Sequence, residues 1–452
     1  MGNKLFTKDF TWGIATSSYQ IEGAHNVDGK GPSVWDVFSH TPGKVKNGDH
    51  GDIACDHYNR YKEDVQLLKN LGVSAYRFSV SWPRVIPTGF LKKPNTKGLD
   101  FYSRLVDELL QNGITPFLTL NHWDIPQGLE DIGGWPERDL IHHFSDFANV
   151  MSEKLGDRVK HWITHNEPWC TSHQGYINGE FPPGIKNNYS KFFATSHHLL
   201  LSHGMSIPII RENSKNCQVG ITLNLCPAEP ASPSKEDKEA AIEFDGRFNR
   251  IFLDPLYLGS YPKDVINGFL NDNLLNEENL NIINSGDLNR IKTNTDFLGI
   301  NYYSRAVIRS SKIKESYNEP ENVTLGEKTD FGWEIHPKSF YDLLKRVDKD
   351  YTPQKIYITE NGCSYDIGPN ELGEINDENR IKFYDSHLKY LSKAINEGVP
   401  CVGYFGWSLM DNFEWAQGYK QRFGMTWVDF KTLERTPKKS YQWYKNFIKK
   451  NK

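Results

Sequence analysis

Short apolar runs alternate with amphipathic stretches along the whole chain of 452 residues. Apolar residues at helical spacing predict a helix over 61–71, which Gly72 ends. Asp100 is predicted to cap a second helix over 101–112, which Gly113 closes. A third helix is predicted over 144–155. The apolar runs predict eight strands, at residues 11–15, 74–80, 115–120, 161–165, 219–223, 297–300, 355–359 and 402–407.

Strands that alternate with helices predict a parallel sheet, and eight such units predict a closed (β/α)8 TIM barrel of the α/β class. No stretch resembles a linker, and single barrels often exceed ~150 residues, so we expect one barrel domain over residues 1–452. Two longer segments, 28–56 and 303–337, are rich in glycine, asparagine and charge. We expect them to be extended loops at the C-terminal face of the strands.

Composition excludes several classes of partner. The formal net charge of −4 provides no basic surface for nucleic acid or an anionic membrane. No apolar run approaches the ~18 residues of a membrane span, and the N-terminus shows no apolar leader. The six cysteines include no C-x-x-C pair, which favours reduced thiols over a zinc site. We therefore expect a cytoplasmic protein.

Polar and aromatic clusters follow four of the predicted strands. They are Asn121-His122-Trp123, Asn166-Glu167-Pro168, Asn301-Tyr302-Tyr303 and Glu360-Asn361-Gly362. Barrel enzymes build their sites at the C-terminal ends of the strands, so the clusters are predicted to surround one mouth.

Glu167 and Glu360 are the candidate catalytic pair. Each follows an apolar strand run, where a charged group needs a reason. Cleavage of a glycosidic bond needs two carboxyl groups, which lie ~5 Å apart in retaining enzymes and roughly 6.5–9.5 Å apart in inverting ones. The sequence leaves that separation open. Nearby side chains suit sugar rings and hydroxyls: Trp123, Trp407 and Trp415 for stacking, and Gln20, His122, Asn166 and Glu414 for hydrogen bonds.

Four motifs carry a resemblance to a known family. They are YQIEG at 19–23, THNEP at 164–168, ITENG at 358–362 and WSLMDNFEW at 407–415. In this order, and over nearly the whole chain, the sequence resembles glycoside hydrolase family 1, the β-glucosidase family.

The resemblance implies a role for each matching position. Glu167 would be the general acid and then the base, and Glu360 would be the nucleophile. Arg77 would lie beside Glu360, Tyr303 would donate to it, and Asn224 would lie near Glu167. Sugar hydroxyls would be bound by Gln20, His122, Asn166, Glu414 and Trp415, with Trp407 as the stacking floor and with Trp169 and Trp333 at the aglycone entrance.

The expected activity is hydrolysis, with retention, of terminal β-D-glucosyl residues from cello-oligosaccharides and aryl β-glucosides, without metal or cofactor. The intact Glu167 favours an O-glycosidase over a thioglucosidase, and Glu414 favours an unphosphorylated sugar. The alternatives are a broad-specificity β-galactosidase or β-fucosidase, and a non-catalytic carbohydrate-binding barrel. The expected partner is a small β-glycoside; monomer and homo-oligomer stay open.

Overall fold

The fold is a closed barrel of eight parallel strands. A computed structural model describes residues 6–312 and 321–452, so part of the predicted loop 303–337 lies outside the described residues. The strands are β1 (Thr11–Ala15), β2 (Ala75–Ser79), β3 (Thr115–Asn121), β4 (His161–Asn166), β5 (Gln218–Asn224), β6 (Phe297–Tyr302), β7 (Ile356–Asn361) and β8 (Cys401–Trp407). Each strand pairs with the next, and β8 pairs with β1, where Phe405 lies opposite Gly13. The predicted (β/α)8 barrel is confirmed.

Helices surround the barrel. They are Ser18–Ile21, Val34–His40, His57–Leu71, Trp82–Val85, Thr96–Gln111, Gln127–Glu130, Leu140–Leu155, Tyr189–Asn213, Lys235–Asp245, Ile251–Tyr257, Lys263–Asn271, Glu277–Leu280, Asp287–Ile291, Pro337–Tyr351, Glu378–Asn396 and Lys439–Asn451. Short π-helical or 3-10 segments are Lys46–Gly48, Cys170–Gln174, Gly246–Arg250 and Trp415–Gln417, and small outer strands are Ala228–Pro230, Ala306–Arg309, Glu321–Asn322, Thr426–Val428 and Arg435–Pro437. Among the described helices, none is long and apolar enough to cross a membrane.

The barrel lumen is filled with aromatic and aliphatic side chains. Phe117, Tyr357 and Phe405 pack there, with the ring centroids of Phe117 and Phe405 4.8 Å apart. Trp407, at the end of β8, belongs to the same cluster and is 3% exposed. The packed lumen forms a solid base, so the C-terminal ends of the strands support a site above it.

The predicted strands are all present, but several continue further than their apolar runs. β4 extends through Asn166, β6 through Tyr302 and β7 through Glu360 to Asn361. The polar side chains at these ends are buried and hydrogen-bonded, so the backbone ladder continues where the apolar pattern stops. Glu360 therefore lies within its strand and not after it.

The predicted cap at Asp100 is wrong. The helix runs from Thr96 to Gln111 with Asn95 at its N-cap, which places Asp100 inside its second turn. The first turn is polar (Thr96 and Lys97), so the apolar pattern begins after the helix does. The predicted stop at Gly72 is confirmed, because its φ of 83° is the left-handed conformation that glycine adopts without strain.

Candidate active site

A cavity of about 650 Å³ opens at the C-terminal ends of the strands. Eleven of the predicted site residues line it: His122, Trp123, Glu167, Trp169, Asn224, Tyr303, Trp333, Glu360, Trp407, Glu414 and Trp415. The other three lie behind the wall, where Arg77 contacts Glu360, Asn166 contacts His122, and Gln20 contacts Glu414. The structure thus brings together residues from both ends of the chain.

Glu360 lies between a cation and a phenol. Its Oε1 accepts a hydrogen bond of 2.6 Å from Nη1 of Arg77, and its Oε2 accepts one of 2.6 Å from the hydroxyl of Tyr303. Arg77 comes from β2, across the barrel, and also donates to Oδ1 of Asn166 at 2.6 Å. Charge-assisted hydrogen bonds of this length are the strong ones, so both oxygens of Glu360 are fixed in position.

Glu167 has only neutral partners. Its Oε1 accepts from Nδ2 of Asn301 at 2.6 Å, and its Oε2 accepts from the thiol of Cys170 at 3.1 Å. The carboxyl group is nearly as buried as that of Glu360, with 5% and 4% of the two residues exposed. Equal burial with unequal partners predicts unequal ionisation.

The pKa shifts follow from these surroundings. Burial and the charge of Glu360 raise the pKa of Glu167 to about 8. Burial also raises the pKa of Glu360, while the charge of Arg77 and the hydrogen bond from Tyr303 oppose that rise. Of the two carboxyl groups, Glu167 is therefore favoured to hold a proton and Glu360 to stay ionised, because only Glu360 is in contact with a cation.

Asn301, which belongs to a strand-end cluster but has no predicted role, lies between the two carboxyl groups in the hydrogen-bond network. Its amide nitrogen donates to Glu167 and, at 3.0 Å, to Oδ1 of Asn166. Its oxygen accepts a hydrogen bond of 2.7 Å from the hydroxyl of Thr359, which neighbours Glu360 in sequence. Asn301 thus links the strands of the two carboxyl groups, and its place at the end of a buried strand was the available signal.

Cys170 could not be predicted as a site residue, because a lone buried cysteine in the sequence indicates only a packed thiol. It follows Glu167 by three residues and begins the π-helical segment Cys170–Gln174, so its thiol reaches the carboxyl group. Burial and the charge of Glu167 raise the pKa of the thiol well above its usual range, which keeps it protonated and able to donate. Nδ2 of Asn224 donates to its sulfur at 3.7 Å, so Cys170 links Asn224 to Glu167.

The protonation of His122 follows from its neighbour. Asn166 accepts from Arg77 through Oδ1, so its Nδ2 donates to Nε2 of His122 at 3.1 Å. Burial and the charge of Arg77 lower the pKa of His122 well below its usual value. The neutral ring therefore carries its proton on Nδ1, which has no hydrogen-bond partner among the described residues. A buried donor without a partner suits a ligand hydroxyl.

One wall of the cavity is built by Glu414 and Trp415. Nε2 of Gln20 donates to the carbonyl of Phe413 at 2.8 Å and lies 3.4 Å from Oε2 of Glu414. Burial and the charges of Glu360 and Glu167 raise the pKa of Glu414 to about 8. The ring of Trp415 packs 4.7 Å from that of Trp123. These contacts fix the wall before any ligand arrives.

Three site residues have left-handed backbone conformations. The φ angles are 47° at Glu167, 75° at Trp123 and 50° at Trp415. Such angles cost a non-glycine residue roughly 1 kcal/mol or more and are concentrated at functional sites. At Glu167 the chain turns from β4 into the following helical segment. The backbone amide of Glu167 donates a hydrogen bond of 2.9 Å to the carbonyl of Thr222.

The outer part of the cavity is aromatic. The Trp169 ring lies 4.3 Å from Phe248 and 4.4 Å from His173. Across the opening, Trp333 packs 4.1 Å from Phe331 and 5.1 Å from Tyr303. Flat apolar faces on both sides suit a flat group held between them.

Possible metal ligands lie elsewhere. Within residues 6–312 and 321–452, the group of side chains close enough to share an ion is His40, His50 and Asp52. None of the three lines the cavity.

Comparisons with known proteins agree over the full length. The family model described as Glycosyl hydrolase family 1 matches residues 2–452. The chain is 47% identical to a 1,4-beta-D-glucan glucohydrolase of Thermotoga neapolitana, with 99% of each covered. It is 46% identical to Beta-glucosidase A of Acetivibrio thermocellus, with 100% of each covered. A solved structure of a beta-glucosidase from Thermotoga maritima in complex with glucoimidazole superposes with a TM-score of 0.93, at 45% identity and 99% coverage of both chains.

Proposed function

Because this chain belongs to glycosyl hydrolase family 1, we propose that it is a retaining β-glucosidase with Glu360 as the nucleophile and Glu167 as the acid/base. The observation that carries the assignment is the asymmetry of partners. Arg77 and Tyr303 each contact Glu360 at 2.6 Å, whereas Glu167 has only neutral donors. An ionised carboxylate and a protonated carboxyl group are the two reactants that the mechanism needs.

In the first step, Glu360 attacks the anomeric carbon of the β-glucoside. The bond from that carbon to the leaving oxygen breaks as Glu167 transfers its proton to that oxygen, and a covalent α-glycosyl ester forms on Glu360. Tyr303 and Arg77 keep the carboxylate oriented toward the carbon. Positioning of this kind removes much of the entropic cost of a two-body reaction.

In the second step, Glu167 acts as a base. Having lost its proton and faced with a neutralised Glu360, it takes a proton from water, which attacks the anomeric carbon and releases Glu360. The like charge that raised the pKa of Glu167 is absent from the ester, so the pKa falls when a base is required. Two inversions give net retention.

The sugar proposed is an unphosphorylated β-D-glucosyl residue. Relatives named β-glucosidase and 1,4-β-D-glucan glucohydrolase, and a neighbour solved with glucoimidazole, support glucose over galactose. Its hydroxyls would be bound by Gln20, His122, Asn166, Glu414 and Trp415 above Trp407. Trp123, which lines the cavity beside Trp415, would also contact the sugar. Asn224 would support Glu167 through Cys170, and the aglycone would lie between Trp169 and Trp333. Cello-oligosaccharides are the proposed natural substrates, as part of cellulose breakdown.

We also propose one catalytic domain over residues 1–452 and a cytoplasmic location. All six cysteines are free thiols in the structure, in keeping with a reducing compartment.

The stereochemistry of azide trapping tests the two roles separately. With 2,4-dinitrophenyl β-glucoside, Glu360→Ala should yield α-glucosyl azide, because azide attacks from the vacated nucleophile side in a single displacement. Glu167→Ala should yield β-glucosyl azide, because azide replaces water in the second step. The unaltered enzyme should release β-glucose first, as seen by proton NMR.

Exchanged azide products would reverse the two assignments. α-Glucose as the first product of the unaltered enzyme would exclude retention. If the enzyme turned over the matching galactoside or fucoside but not the glucoside, the proposed mechanism would stand and the proposed sugar would be wrong. Binding of glucosides without turnover would indicate the non-catalytic barrel.

A further inference from the structure

A second cluster of titratable side chains surrounds Asp52, on the loop that follows the helix Val34–His40. His40 and His50 face the same carboxylate, with Nε2 of His40 3.2 Å from Oδ2 of Asp52 and Nδ1 of His50 3.3 Å from Oδ1. Nε2 of His25 lies 3.7 Å from Oδ2. Three imidazoles around one carboxylate need an explanation, because the proposed reaction uses none of them.

The spacing matches that of metal ligands. One ligand atom from each of His40, His50 and Asp52 can be chosen so that all lie within 4.8 Å of one another. Two ligands at about 2 Å from a tetrahedral ion are about 3.3 Å apart. His40 and His50 lie at similar distances from the two oxygens of Asp52, one from each. The two imidazole rings are already stacked, with centroids 4.7 Å apart and planes 22° apart.

The orientation of His40 is set from outside the cluster. Its Nδ1 lies 2.6 Å from the backbone carbonyl of Asp36, which can only accept, so Nδ1 carries a proton. Nε2 is therefore the nitrogen that faces Asp52. A histidine that donates one N–H to a carbonyl and presents the other nitrogen is the usual arrangement around protein-bound metals.

Asp52 supplies an independent observation. Its Oδ1 is shielded from solvent and accepts no hydrogen bond within the described part of the chain, although Nδ1 of His50 is only 3.3 Å away. The two imidazoles remain accessible, with 48% and 43% of the side chains of His40 and His50 exposed. A shielded carboxylate oxygen without a donor, next to accessible imidazoles, is a place for a cation that can enter from solvent.

We propose that His40, His50 and Asp52 bind one divalent transition-metal ion of the Zn²⁺ type, with His25 able to supply a fourth ligand. A donor set of two imidazoles and one carboxylate suits such ions better than it suits Mg²⁺ or Ca²⁺. The ion would take no part in the hydrolysis, since the cluster does not line the cavity.

The loop is linked to the wall that holds Glu414 and Trp415. The hydroxyl of Tyr419 donates 2.8 Å to the carbonyl of His50, and its amide donates 3.0 Å to Asp49. Lys46, on the same loop, contacts Gln417, which lines the cavity. An ion at this place would therefore stabilise one side of the cavity mouth.

Zn²⁺ titration of chelator-treated protein by calorimetry at pH 7.5 tests the site. We expect one ion per chain, with affinity reduced at least about tenfold in His50→Ala and in Asp52→Asn. The control His142→Ala removes an exposed imidazole elsewhere and should bind as the unaltered protein does. Zn²⁺ should raise the melting temperature of the unaltered and control proteins but not that of His50→Ala, since a ligand stabilises only the fold that binds it.

Protons should compete with the ion. An imidazole must be neutral to bind a metal ion, so binding should weaken as the pH falls. Equal stoichiometry and affinity in His50→Ala and the unaltered protein would overturn the proposal, as would no binding at millimolar Zn²⁺. Loss of binding in Cys170→Ser, with His50→Ala unaffected, would also overturn it and place the ion at the thiol. Far-UV circular dichroism of each variant reports folding.

Discussion

The two sides of the active-site cavity contain the same residue type at the same burial, yet in opposite surroundings. On the β7 side, Glu360 contacts the cation Arg77 and the phenol of Tyr303. On the β4 side, Glu167 contacts an amide and a thiol. The hydrogen-bond partners, and not the depth of burial, therefore distinguish the two groups: a cation favours the ionised form of Glu360, and neutral donors allow Glu167 to hold a proton.

The largest effect should come from the charged side. Glu360→Ala removes the proposed nucleophile, so no covalent intermediate should form and kcat should fall on the order of 10⁴–10⁶-fold for every β-glucoside. Glu153→Ala, at an exposed position on a surface helix, is the control and should keep full activity. Steady-state assays on aryl glucosides measure both. Near-normal turnover by Glu360→Ala would end the assignment of the nucleophile.

The neutral side should show a loss that depends on the leaving group. In Glu167→Ala, kcat/KM should fall about 10²–10⁴-fold for cellobiose, whose leaving oxygen needs a proton. For 2,4-dinitrophenyl β-glucoside it should change little, and slow release of the intermediate should produce a burst of the phenol. Stopped-flow absorbance resolves that burst. Equal losses on the two substrates would contradict the role of Glu167 as the acid.

Removal of the Arg77 cation should leave Glu360, like Glu167, with only neutral partners. Arg77→Met leaves Glu360 as a buried charge without a cationic partner, which costs about 3–5 kcal/mol. The carboxylate then takes up a proton more readily, so kcat/KM should fall about 10²–10³-fold and its acid limb should move to higher pH. Arg77→Lys keeps the charge and should lose less. An unmoved acid limb in Arg77→Met would show that Arg77 does not set the ionisation of Glu360.

The pH dependence of kcat/KM reports the ionisation of Glu167. As the proposed acid, Glu167 must be protonated for the first step. Burial and the charge of Glu360 raise its pKa to about 8, so kcat/KM should fall as the pH rises through about 8. Glu360→Gln removes the neighbouring negative charge and should lower the pKa of Glu167. Carbon-13 NMR of labelled glutamate, with Glu167→Gln to assign the signal, would follow this in the inactive variant. An unchanged pKa would show that burial alone raises it.

The architecture could be predicted from the sequence, because eight apolar runs are local signals. The four strand-end motifs likewise predicted residues that meet at one cavity. What could not be predicted depends on distant partners. β7 continues through Glu360 because Arg77, 283 residues away in the chain, satisfies its charge. Asn301 and Cys170 belong to the site through contacts that form only when the barrel closes. The cap at Asn95 was missed because the first helical turn is polar.

The smallest predicted effect tests whether a neutral donor tunes the acid. The thiol of Cys170 donates 3.1 Å to Oε2 of Glu167, and it stabilises the ionised form more than the protonated one. Cys170→Ala should therefore raise the pKa of Glu167 and move the alkaline limb of kcat/KM upward, by less than about one pH unit, because a thiol is a weak donor. Cys170→Ser restores a hydroxyl donor and should return the limb toward its original position. A purely structural role would lower kcat in both variants without moving the limb, whereas a shift in Cys170→Ala that Cys170→Ser reverses identifies a hydrogen bond acting on the proton of Glu167.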